Sequence, residues 1–156
     1  MEINGHHLGP GENLAGLDFS HEDLSTAELD SADLSDASLI GTDLTLASLT
    51  NANLARAEMG DAWLVGANLS GADLSNADLS SGVLEEANLS GATLVGADLA
   101  LARCLLANFA GADLTGADLT GAMLLGADFT GANLTGATLI GADILGAQFD
   151  GAIGFT

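Results

Sequence analysis

From Leu14 to Phe149 an apolar residue stands at every fifth position, twenty-eight in succession without a break in register. Twenty-one are Leu; the others are Phe19, Met59, Cys104, Phe109, Phe129, Ile144 and Phe149. Two residues before each lies a second column, Ala in twenty-three cases, with Glu12, Leu17, Glu22, Thr42 and Gly82 as the exceptions. A period of five suits neither regular element. On an α-helix five residues advance 500°, so the column would wind around the axis. On a straight strand an odd spacing sends successive members to opposite faces. Both columns point inward only if the backbone turns once per repeat. Four near-right-angle turns close a ring, so one circuit takes twenty residues and the array holds about seven coils.

Along each short side the Ala and central positions, two apart, share the inward face. Gly closes the pentad in fifteen of twenty-eight repeats, where a turn with positive φ wants it. Asp or Asn before the central residue and Ser or Thr after it point outward and suit turns. Runs such as Ala72-Asp73-Leu74-Ser75, Ala112-Asp113-Leu114-Thr115-Gly116 and Ala132-Asn133-Leu134-Thr135-Gly136 resemble the A(D/N)LXX motif of pentapeptide-repeat proteins. The resemblance implies an all-β chain, a right-handed quadrilateral β-helix whose coils stack by backbone hydrogen bonds. At about 4.8 Å per coil, the rod is expected to be roughly 34 Å long. The expected organisation is an N-terminal cap over residues 1–11, the β-helix over 12–151, and a short tail over 152–156. Ile3 or Leu8 is expected to cover the first coil, with Pro10 and its flanking glycines turning the chain into the array. Ile153 and Phe155 are the residues available to cover the other end.

A circuit of twenty sorts the outward positions onto four walls, each named here by its first central residue: Leu14, Phe19, Leu24 and Leu29. The outward slots of the Leu24 wall hold Trp63, Val65, Val83, Leu105, Met123, Leu125 and Leu145, seven large apolar residues in fourteen slots. The other three walls together hold only Ile40, Val95 and Ile140 in forty-two. Leu46, Leu101 and Leu106 border the same wall at its corners. Seven such side chains at about 100 Å² each exceed what a soluble monomer ordinarily exposes in one patch. They match one side of a standard interface, about 800 Å². The expected function is therefore that of a non-enzymatic structural or protein-interaction module. It is an acidic rod docking through this wall onto a second copy, as a dimer, or onto another protein, with Trp63 as anchor.

The Phe19 wall is the opposite case. Its acidic column and border comprise Asp18, Glu58, Asp61, Asp78, Asp98 and Asp118, and stacked carboxylates about 5 Å apart repel. All twenty-two acids except Glu2 lie in the array, against Arg56 and Arg103 alone. That is roughly one net charge per 1.8 Å, close to the 1.7 Å of duplex DNA. Some pentapeptide-repeat proteins confer fluoroquinolone resistance by imitating a duplex on a topoisomerase, so the resemblance implies an alternative role. In that role the chain is a DNA mimic acting on a type II topoisomerase such as gyrase. The apolar wall, which interrupts the anionic surface, weighs against it.

A net charge of −20 opposes direct contact with nucleic acid or anionic membranes. No apolar run approaches the 18 residues of a spanning helix, and no secretory signal is visible, so the expected location is cytoplasmic. Cys104, the single cysteine, falls in an inward slot and is expected to behave as a small hydrophobe. His6, His7 and His21 sit near the N-terminus, and the acids line convex faces without a pocket to perturb them. No nucleophile and base, phosphate loop or dinucleotide motif appears. Calcium-binding β-rolls have a nine-residue period, which this chain lacks. No cofactor or metal site is expected.

Overall fold

A computed structural model describes residues 1–155. Each residue just before a central position pairs, in parallel, with the residue twenty places on, from Asn13–Asp33 to Asn133–Ile153. The ladder is built from single bridges because each side is too short for more. The Leu24 N–H donates to the Asp43 carbonyl at 2.7 Å, and the Asp43 N–H donates back to the Glu22 carbonyl at 3.0 Å. Each pair of neighbouring coils repeats that exchange on all four walls, so the backbone polar groups of the interior coils find partners without any long strand.

Each side ends in the same turn. The N–H of Ala27 donates to the carbonyl of Leu24 at 3.0 Å, with Thr26 between them at φ 57°. Positive φ at the third residue of a hydrogen-bonded four-residue turn is the type II geometry. All twenty-eight closing residues adopt it, the thirteen that are not Gly included. Where the closing residue is large, its side chain lies along the stacking direction. A Cβ on Gly66 would stand 2.9 Å from the Leu46 Cδ2, and one on Gly121 2.8 Å from the Leu101 Cδ2. A long corner side chain thus occupies its own site and the space above the next.

The central column is buried from Leu14 to Leu134, with the Ala column filling the gaps between the large side chains. Thr42, in the Ala column, satisfies its hydroxyl on the Phe19 carbonyl at 2.8 Å. Phe109, Phe129 and Phe149 stack one above another, centroids 4.8 and 5.1 Å apart and planes nearly parallel.

The N-terminal end carries a feature that the repeat pattern does not announce. Strands β1 (Glu2–Ile3) and β2 (His6–His7) form an antiparallel hairpin. Asn4 and Gly5 turn it, both at positive φ, the mirror-image turn that matches strand twist. Leu8 follows it and is buried, Ile3 packs partly against the core, and His6 meets Phe19 edge-on. At the other end only one of the two expected covering residues lies over the core. Phe155 stacks on Phe149 with centroids 3.8 Å apart. Ile153 continues the ladder by pairing with Asn133, which sends its side chain outward, 61% exposed.

Candidate functional site

The ladder Asp23–Asp43–Trp63–Val83–Arg103–Met123–Asp143 runs up the Leu24 wall in one unbroken column. Two residues on from each rung, Ser25, Thr45, Val65, Glu85, Leu105, Leu125 and Leu145 form the parallel column beside it. All seven apolar residues singled out in the sequence therefore share one wall. Their exposure is uneven: Trp63 is 55% exposed and Leu145 72%, while Val65, Val83 and Leu105 are half-buried. A side chain in the middle of a ladder is shaded by its neighbours one coil above and below; Trp63 outreaches that shading, and Leu145, in the last coil, has no neighbour above it. The wall is thus less exposed than full extension of all seven side chains implies.

The corners restore part of what the middle lacks. Leu46, Leu101 and Leu106 are 64%, 64% and 63% exposed. They hold φ of 58°, 61° and 56°, a backbone region that disfavours side chains with a Cβ. Charge on the wall is sparse in its upper five coils. Arg103 donates from its Nη2 to Glu85 Oε1, and Asp143 is the remaining charged group.

The Phe19 wall brings its acids together as well. Asp78, Asp98 and Asp118 follow one another in the ladder below Thr138, with Glu58 beneath and Asp61 at the adjoining corner. The structure supplies a local reason for these carboxylates that charge alone does not. Asp18 accepts the N–H of Ser20 at 2.9 Å, Asp78 that of Ser80 at 2.9 Å, Asp98 that of Ala100 at 2.8 Å and Asp118 that of Thr120 at 2.8 Å. Each is a side-chain turn that braces the entrance to a corner. The hydroxyls and N–H groups of Ser20 and Thr120 hold the Asp18 and Asp118 carboxyls below the usual range. Glu58, one methylene longer, makes no such bond.

Elsewhere the chemistry is thin. Cys104 is fully buried, and desolvation pushes its thiol up to about 12, so Arg103 next to it does not activate it. His6, His7 and His21 are exposed. Among the described residues no three His, Cys, Asp or Glu side chains converge as a metal site. An open cavity of about 400 Å³ lies below the hairpin, lined by Met1, His7, Pro10 and Glu28 among others. Among the described residues no helix is long and apolar enough to cross a membrane.

The pentapeptide-repeat family model matches in eight copies, covering residues 13–45, 32–71, 67–103, 106–136 and 126–153. The chain belongs to the pentapeptide-repeat family. Its coil is accordingly the right-handed quadrilateral β-helix of that family. Three solved relatives illustrate the range. HetL, involved in heterocyst differentiation regulation in the cyanobacterium Nostoc sp. strain PCC 7120, is 31% identical. The match covers 92% of this chain and 85% of HetL, with a TM-score of 0.40. A trypsin-treated form of QnrB1, a plasmid-mediated fluoroquinolone resistance protein, is 24% identical, covering 94% of this chain and 91% of its own, with a TM-score of 0.59. A pentapeptide-repeat protein of the Arabidopsis thaliana thylakoid lumen is 32% identical over 70% of this chain and 66% of its own, with a TM-score of 0.43. No curated protein matches the chain by sequence.

Sequence reasoning located both walls because each depends only on the twenty-residue circuit. It missed the hairpin, although Asn4-Gly5 is the strongest short turn signal a chain can carry. It read the Asp and the Ser or Thr around each central residue as suited to turns, but not that the carboxylate accepts the N–H two residues on.

Proposed function

We propose that this pentapeptide-repeat chain is a non-enzymatic docking module that presents the Leu24 wall to a protein partner. One observation carries the reading. Trp63, Met123, Leu125 and Leu145 are exposed on a single wall, and the three leucines held at positive φ stand at the two corners beside it. An isolated rod gains nothing from either feature. A rod that buries this wall recovers the apolar area, and its rigidity keeps the ordering cost of association low. The test uses the chain as bait in a lysate of its source, alongside a W63S/L105S/L125S variant with the same circular dichroism. A partner, which includes untagged copies of the chain itself, should be retained by the first bait and lost from the second. Identical recoveries by the two baits would sink the reading.

A second reading, a DNA mimic acting on gyrase, is favoured by the continuous acids at Asp78, Asp98 and Asp118 and by the charge spacing of the rod. Likeness to QnrB1 supports it only as likeness of fold. The local bonds that brace these carboxylates give them a purpose that needs no topoisomerase. Gyrase supercoiling unaffected by micromolar protein removes this alternative.

A further inference from the structure

The docking reading names a wall without naming its occupant. Building on that reading, we infer that the occupant is a second copy of this chain, laid antiparallel against the first across the same five coils. Three observations converge on it.

The first is the backbone. Of the thirteen closing residues that are not Gly, ten are polar or charged and three are Leu. Leu46, Leu101 and Leu106 combine a disfavoured φ with about two-thirds exposure and flank this wall; Leu101 and Leu106 stand in the fifth coil, one at each corner, and Leu46 in the second, outside the overlap. Contact therefore extends past the flat of the wall onto both corners. That demands an occupant as broad and rigid as the rod itself rather than an inserted peptide.

The second is charge. A basic partner would seek the acidic walls, yet the third to seventh coils of this one offer only the Arg103–Glu85 pair and Asp143 on the flat, with Asp61 and Glu86 at its two corners. The complementary surface must be apolar, flat and nearly neutral, and this wall is itself such a surface. Over the rod as a whole the acids are uneven. Residues 12–51, the first two coils, hold nine acids and no base, while residues 52–151 hold twelve acids and both arginines. A parallel pair would set the two acid-rich ends side by side. An antiparallel pair overlapping through coils three to seven leaves them overhanging at opposite ends.

The third is register. A two-fold axis crossing the wall at the fifth coil is isologous, so each contact occurs twice. It sets Val83 opposite the partner's Met123 and Val65 opposite the partner's Leu145. Leu101, Leu105 and Leu106 meet their own counterparts near the axis. Arg103, in the same coil, also meets its own counterpart, each guanidinium being held by its own Glu85, and Glu85 lies opposite the partner's Leu125. Trp63, whose indole N–H is a donor, faces the carboxylate of the partner's Asp143. Five coils give a contact about 24 Å long. That is at the low end of specific interfaces, about 600 Å² per partner, so dissociation in the micromolar range is expected.

Sedimentation of the full chain across a concentration series tests the pairing, and disulfide trapping tests its order. L101C and L105C stand near the axis, D43C stands in the overhang, and the buried Cys104 does not compete. The expected result is a monomer–dimer equilibrium that tightens as salt rises. L101C and L105C should give a covalent dimer on mild oxidation, and D43C should not. Trapping of D43C in place of the other two would overturn the antiparallel order. A chain that stays monomeric at several hundred micromolar overturns the second copy as occupant and leaves docking to the lysate experiment. A dimer that the W63S/L105S/L125S variant retains in full overturns pairing through this wall and leaves docking to the lysate experiment.

Discussion

At the scale of single residues, the corners separate what stabilises the rod from what the wall presents. A leucine in the left-handed region costs about 1 kcal/mol relative to a residue free of that clash. Leu101, exposed as it is, recovers little of that within one chain. Leu101→Gly is therefore expected to raise the thermal midpoint of the dilute protein by a few degrees, the relief of the disfavoured φ outweighing the contact its side chain makes over Gly121. Differential scanning calorimetry at low concentration checks this; a lowered midpoint would mean that the leucine is well packed in the isolated rod. Such residues are hidden from sequence reading. Leu46, Leu101 and Leu106 are visible as apolar letters at closing positions, but their strain follows only from the turn being the same at every corner, glycine or not.

The structural element here is one side of one coil, and its recurrent device is the Asp that accepts an N–H two residues on. Asp18, Asp23, Asp33, Asp118 and Asp128 are each held below their ordinary value of 3.8 by the hydroxyl and N–H of a following Ser or Thr. A carboxyl depressed in the folded state contributes stability that is complete above the unfolded value, near 3.8, and is lost as pH falls through the lower folded value. In high salt, which screens the general repulsion, the thermal midpoint should hold from pH 7 to about 5 and fall below about 3.8. An Asp18, Asp118 and Asp128→Asn triple variant keeps an acceptor without a titrating group, so it should lose less over that fall. An equal loss in the two proteins would show that these bonds do not set the acid limb. The inward columns and the circuit were legible in the sequence because burial repeats every five residues without exception. The half-burial of Val65, Val83 and Leu105 was not, because it depends on what stands one coil away, twenty residues distant. Ile153 was misplaced for a related reason: pairing with Asn133 overrode the pull of the uncovered core.

For the whole molecule, a net charge of −20 on a slim rod opposes the compact state. Screening should therefore stabilise it. The thermal midpoint at pH 7 is expected to rise by several degrees between 10 mM and 500 mM salt, since the Debye length falls from about 30 Å to a few Å. Circular dichroism melts at a non-associating concentration measure this, and a midpoint indifferent to salt would show that the bracing bonds and cores absorb the repulsion. The two ion pairs among the described residues bridge neighbouring coils, Arg56 with Asp36 and Arg103 with Glu85, and are largely exposed, so they soften this field only locally.

Because one lap of the chain consumes twenty amino acids, genetic change in such a rod comes in quanta. Duplicating a complete lap lengthens the molecule and keeps every vertical file of side chains intact. Losing a single pentad preserves the fold's local grammar yet rotates everything downstream by a quarter turn. Removal of five residues between Trp63 and Val83 would then leave a well-folded protein whose hydrophobic surface is split between two sides.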